Sequence, residues 1–143
     1  MCKNKKFNLL VLIPNSGMST MTLADRKQML SKYADNNTEI SVECIPAGPI
    51  SIETEHEEFE AGIHILNRAR TAAEDGFDCM IVYCSSDPAV RAARELAKIP
   101  VIGPGYISMI IPARWYNGGI GLNAFRADML NDKHLTKLVD FAN

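Results

Sequence analysis

Short apolar runs, each broken by a polar turn and separated by longer amphipathic stretches, limit this fold more than any other feature. Phe7–Ile13, Glu39–Ile45, Phe77–Tyr83 and the run opening at Pro100-Val-Ile102 are strand-length, and none is long enough for a buried helix. Between them, Met21–Asp35, Glu55–Asp75 and Pro88–Lys98 carry helical signals. In the first, Thr22 and Asp25 have capping-box spacing. In the second, Phe59, Ile63, Leu66 and Ala73 lie near one face, and Gly76 supplies the stop. In the third, Val90, Ala93, Leu96 and Ala97 form the apolar side. Repeated βα units of this kind predict an α/β domain with a parallel sheet, helices on both faces and right-handed crossovers.

At 143 residues, the chain is one domain's length and can bury a real core. A net charge of −2 without a basic stripe argues against a nucleic-acid partner. Lys3, Lys5 and Lys6 ahead of Phe7–Ile13 imitate the start of a signal peptide. The run ends in Pro14-Asn15-Ser16-Gly17 without a small-x-small cleavage pattern, so it reads as the first strand. No run approaches membrane-spanning length, and no membrane partner is expected. The four cysteines (Cys2, Cys44, Cys79 and Cys84) have no CxxC or metal-finger spacing, so no metal site is expected. Three lie in or beside apolar runs, as reduced thiols of a cytoplasmic protein would.

In a parallel sheet of this type, ligands bind at the carboxyl ends of the strands. Three polar loops gather there: Asn15–Thr20, Ala47–Ile52 and Cys84–Asp87. The last carries the chemistry. Cys84 ends an apolar run and is followed by Ser85-Ser86-Asp87-Pro88, in which Asp87 suits an N-cap and Pro88 a first helical position. That would put the thiol beside a helix amino terminus, whose dipole favours a thiolate, the basic and nucleophilic form of cysteine. A small buried apolar cysteine is the competing reading. For Asn15 and Ser16 the competing reading is turn chemistry, and for Ser86 and Asp87 it is helix capping.

These loops resemble those of the aspartate/glutamate/hydantoin racemase superfamily. The similarity lies in Ile13-Pro-Asn-Ser-Gly-Met-Ser-Thr-Met-Thr22, in Gly48-Pro-Ile-Ser-Ile-Glu53, and in Cys84-Ser-Ser-Asp-Pro-Ala-Val-Arg-Ala-Ala-Arg-Glu-Leu96 with Ile99-Pro-Val-Ile-Gly103. It runs from Phe7 to about Met109 and is strongest toward hydantoin racemases. It implies a flavodoxin-like lobe, residues 1–109, of a fold that normally has two. It also implies cofactor-independent racemisation of amino acids or derivatives such as hydantoins. One cysteine thiolate takes the proton beside a carbonyl or carboxylate, and a second thiol returns one to the opposite face. On this resemblance Cys84 matches the first-lobe base, and Asn15 and Ser16 match the loop that holds a carboxylate or ring carbonyl. Ser85 and Ser86 occupy the turn whose backbone N–H groups face the developing oxyanion.

The resemblance does not extend to residues 110–143, which read as a C-terminal hairpin and helix packed on the same domain. Asn117-Gly118 is a hairpin turn signal, and Leu130–Phe141 has a helix's apolar side at Leu135, Leu138 and Phe141. Gly119-Ile-Gly-Leu-Asn-Ala124 fits a dinucleotide-binding pattern but lacks a preceding strand, and reads as a glycine-rich turn. No second cysteine is placed to face Cys84 within the lobe. Three expectations follow: a racemase completed as a homodimer with one Cys84 from each subunit, a one-cysteine decarboxylase or proton-exchange enzyme, or a non-catalytic ligand-binding remnant. Each takes a small-molecule carboxylate or hydantoin-like ligand.

Overall fold

The computed structural model describes residues 6–108. Those up to Pro104 belong to one compact unit, and residues 105–108, part of a helical turn, belong to a second. The expected hairpin at Asn117-Gly118, the glycine-rich turn at Gly119–Ala124 and the helix at Leu130–Phe141 lie outside the described residues.

The elements run β1 (Phe7–Ile13), α1 (Thr20–Ser31), β2 (Thr38–Cys44), α2 (Glu55–Thr71), β3 (Cys79–Val82), α3 (Val90–Leu96) and β4 (Val101–Ile102). The four strands form one sheet in the order β2-β1-β3-β4, and every pair is parallel. Leu12 is in register with Glu43 on one side and with Val82 on the other. Side chains alternate across the sheet. Leu10, Leu12, Met80, Val82 and Val101 face α2 and α3 and form the main core with Ile65, Ala69, Val90 and Ala93. The helix α1 lies along β2, contributes no side chain to that core and has no fully buried residue.

The amphipathic face expected for α2 packs only in part, with Leu66 half-buried against the core. Phe59 and Ile63 are 81% and 64% exposed, whereas Ala61, Gly62, Ile65 and Ala69 are buried. Two stripes compete along this helix. The one with small residues wins because it lets the helix approach the sheet and α3 closely, with Ile65 filling the gap. The helix opens in a capping box: Thr54 Oγ1 accepts from the Glu57 N–H, and the Glu57 carboxylate accepts from the Thr54 N–H. It closes near Gly76, as its sequence signalled. The Phe77 N–H bonds to Ala72 O, the Gly76 N–H to Ala73 O, and Gly76 adopts a φ of 89°. Arg68 ties this end to β2, forking onto both Glu43 carboxylate oxygens, reaching Asp75 at 2.6 Å and stacking over Phe77.

Two caps differ from expectation. The cap of α1 is Ser19, whose hydroxyl accepts from the Thr22 N–H. Thr22 and Asp25 therefore lie inside the helix. The helix α3 starts at Val90 rather than at Pro88, its N-cap is Ala89, and no side chain caps it. Asp87 has a φ of 53°, so the chain turns twice more before the helix begins.

Candidate functional site

The sheet order places a switch point between β1 and β3. The chain leaves β1 toward β2 on one side, then returns to add β3 and β4 on the other. The loops after β1 and β3 flank that point. Their strands are hydrogen-bonded neighbours, and pairing continues past the strand ends with Tyr83 N–H to Leu12 O at 2.8 Å. Asn15 and Ser16 thus follow the end of one strand and Cys84 follows the end of its neighbour.

The first loop is pinned to the second. Asn15 Nδ2 donates to Ile50 O at 2.8 Å, Ser16 Oγ donates to Gly48 O at 2.7 Å, and the Ser16 N–H donates to Pro49 O at 2.8 Å. A serine hydroxyl has one proton. With that proton directed at Gly48, Ser16 faces its surroundings as an acceptor. Asn15 keeps one amide N–H and its carbonyl oxygen. Gly48, whose carbonyl takes the Ser16 hydroxyl, has a φ of 109°, a backbone shape that favours glycine.

Cys84 is half-buried, and its Sγ lies 3.4 Å from the hydroxyl of Ser86. Ser85 is exposed and Ser86 half-buried. The helix terminus expected beside the thiol is absent: α3 begins six positions later and spans only 7 residues. What surrounds the thiol instead is a turn built by Cys84 N–H to Val82 O, Asp87 N–H to Cys84 O, and Val90 N–H to Asp87 O. Cys79 is the contrasting thiol. It is 5% exposed, alternates along β3 with the core-facing Met80, and burial pushes it above its usual range. Cys44 ends β2, half-buried, with β1 between it and β3. Cys44, Cys79 and Cys84 are all free thiols. Among the described residues, no group of three or more His, Cys, Asp or Glu is gathered to hold a metal. None of the described helices is long and apolar enough to cross a membrane.

Sequence reasoning missed Gly103. It follows β4, and the Asp87 carboxylate lies against its Cα, where a side chain would otherwise stand. Nothing in a Val-Ile-Gly-Pro string signals that contact, which is formed by residues sixteen positions apart.

Residues 9–109 match the model of the Asp/Glu/Hydantoin racemase family. The chain belongs to that family. Among curated proteins, it is 36% identical over 90 residues to a hydantoin racemase of Rhizobium meliloti, covering 63% of this chain and 36% of that protein. It is 32% identical over 97 residues to a hydantoin racemase of Paenarthrobacter aurescens, covering 66% and 40%. Among solved structures, an allantoin racemase from Klebsiella pneumoniae superposes with a TM-score of 0.66 at 32% identity, covering 76% of this chain and 44% of that one. An allantoin racemase from Pseudomonas fluorescens gives 0.62 at 22% identity and speaks to the fold alone, covering 76% and 45%. The chain therefore spans less than half the length of these relatives, as one lobe of a two-lobed fold does. Residues 96–143 also match the model described as Eco57I restriction-modification methylase, overlapping the racemase match over 96–109.

Proposed function

We propose that this chain is a cofactor-independent racemase lobe acting on amino acids or their derivatives such as hydantoins, with Cys84 as the acid/base. The observation that carries the reading is the position of Cys84: half-buried, at the carboxyl end of β3, beside the switch point of a racemase-family sheet. The Cys84 thiolate removes the proton from the carbon next to the carbonyl. The C–H electron pair moves onto that carbonyl to give an enolate, and the sulfur becomes a thiol. Backbone N–H groups of the Ser85–Ser86 turn stabilise the enolate oxygen. Asn15 and Ser16 orient the ligand. The Ser16 oxygen takes an N–H from it, and the Asn15 amide supplies both a donor and an acceptor.

Inversion needs a proton delivered to the other face. In this proposal a second copy of the chain supplies it: a twofold axis at the cleft brings a second Cys84 opposite the first. Among the described residues the other thiols stand apart from Cys84, with Cys79 buried and Cys44 separated from β3 by β1, and this favours one alternative, in which a lone Cys84 exchanges the proton on one side and configuration is retained. Chirality assays on enantiopure 5-substituted hydantoins, aspartate and glutamate test the reading. Loss of optical rotation with the wild type, abolished by Cys84→Ser, is the expected result. Rotation unchanged across the panel, at concentrations where sedimentation shows a dimer, overturns the racemase reading.

A further inference from the structure

The turn that carries Cys84 is held in a backbone shape that its residues do not favour. Asp87 and Ala89, on either side of Pro88, have φ values of 53° and 54°. Neither is glycine, and a Cβ disfavours the left-handed region, less so for Asp than for Ala. Such conformations persist where the surroundings over-determine them. Two contacts from distant parts of the chain do so here. A Cβ built on Gly103 would fall 2.5 Å from Asp87 Cγ and 2.6 and 2.7 Å from its carboxylate oxygens, so the carboxylate fills the place of a side chain at 103. The Ala89 methyl lies 3.6 Å from the equivalent point on Gly62 of α2, in ordinary van der Waals contact. Residue 87 is in turn bonded to the thiol's own backbone, its N–H donating to Cys84 O at 3.3 Å. The geometry of residue 87 thus sets the turn in which Cys84 Sγ meets the Ser86 hydroxyl.

We infer that Asp87 and Gly103 are a positioning pair for the Cys84 thiol. The glycine leaves a notch, the carboxylate fills it, residue 87 stays left-handed, and the thiol stays beside Ser86. Both residues act through Cys84. The catalytic meaning of the pair rests on the proposed role of Cys84, but its test reads thiol chemistry and not turnover, so the two can fail separately.

The perturbation is Gly103→Ala in the full chain. The carboxylate must retreat by about 1 Å to reach ordinary contact with the new methyl. It can do so only by swinging about χ1 out of the notch or by turning residue 87, and either way residue 87 loses the contact that holds it. Iodoacetamide alkylation of Cys84 is followed by peptide mass under native conditions, with Cys44 as the internal reference. The Cys84 rate falls about fivefold, a factor one hydrogen bond commonly carries, while that of Cys44 is unchanged. Asp87→Gly, which accepts the backbone shape but lacks the carboxylate, lowers the Cys84 rate similarly, and adding Gly103→Ala to it lowers the rate no further. Asp87→Asn, which keeps shape and left-handed tolerance, preserves the rate. A Gly103→Ala variant that melts earlier but keeps the wild-type ratio of Cys84 to Cys44 labelling overturns the inference, as do additive effects in the double variant. If Gly103→Ala does not fold, the Asp87 variants decide: equal rates for Asp87→Gly and Asp87→Asn overturn it.

Discussion

Ile63 and Ile65 are the same residue type, two positions apart on one helix, and the structure gives them opposite roles. Ile65 is fully buried against Leu10, Leu12, Met80 and Val82, whereas Ile63 is 64% exposed. Truncating Ile65 to Ala removes three buried carbons, worth ~2.4 kcal/mol at ~0.8 kcal/mol each. The cavity left in a packed layer adds to that, for a total of about 3 kcal/mol, inside the range for Ile→Ala in cores. For a chain of this length that corresponds to a melting temperature lower by about 12 °C. Ile63→Ala removes the same atoms from the surface and should change stability by less than about 0.5 kcal/mol. Parallel urea denaturation of the two variants and the wild type, with m-values compared, is the assay. The stakes reach the site, because the register of α2 puts Gly62 against the Cys84 turn and Gly48 beside His64. Equal losses for the two variants, or a larger loss for Ile63→Ala, would mean that α2 presents its bulkier stripe to the sheet, and the packing described here would be wrong.

Three further outcomes concern the cap of α2 and two titrating groups. Thr54→Ala should cost about 1 kcal/mol through the lost N-cap of α2, measured by denaturant midpoint. Glu57 belongs to the same box: the Glu53 backbone N–H, then the Thr54 hydroxyl, hold its carboxyl below the usual carboxylate range. A lowered folded-state value stabilises above the unfolded value and loses that contribution as pH falls through the folded one. The stability gap between wild type and Glu57→Gln should therefore narrow on acidification below about pH 4.5; a gap constant from pH 7 to pH 3 contradicts this. Cys79, whose thiol burial pushes above its ordinary range, behaves in the opposite sense. Its stabilising protonated form is fully retained below the unfolded value and lost as pH rises through the folded one. Native alkylation at neutral pH should label Cys84 and spare Cys79, and preferential labelling of Cys79 would contradict the burial.

What was legible in the sequence were features written in local chemistry. Phe7–Ile13 is a strand as its apolar run, interrupted only at Asn8, demands, Gly76 ends the turn after α2 because only glycine takes that φ cheaply, and Cys84 stands where a run meets a polar turn. What misled was chemistry that the tertiary structure outbid. Asp87-Pro88 has the composition of a helix start, yet the carboxylate is taken up against Gly103 and the helix begins later, without a side-chain cap. Phe59 and Ile63 outweigh Ala61 and Ala69 in hydrophobicity, yet close approach to a sheet rewards small side chains, so the weaker stripe is buried. The pinning of Asn15 and Ser16 to residues 48–50 joins two loops thirty-odd positions apart, and no spacing rule anticipates it.

The role proposed for Cys84 is to move a proton on and off a carbon beside a carbonyl. Proton NMR of an enantiopure 5-substituted hydantoin in deuterium oxide reads that event directly, whether or not configuration inverts. The C5–H signal should decay with the wild-type chain and stay at the buffer rate with Cys84→Ser, while Cys79→Ser should retain wild-type decay. A hydantoin that binds but keeps its C5 proton as long as in buffer, or one that exchanges equally fast with Cys84→Ser, would contradict it.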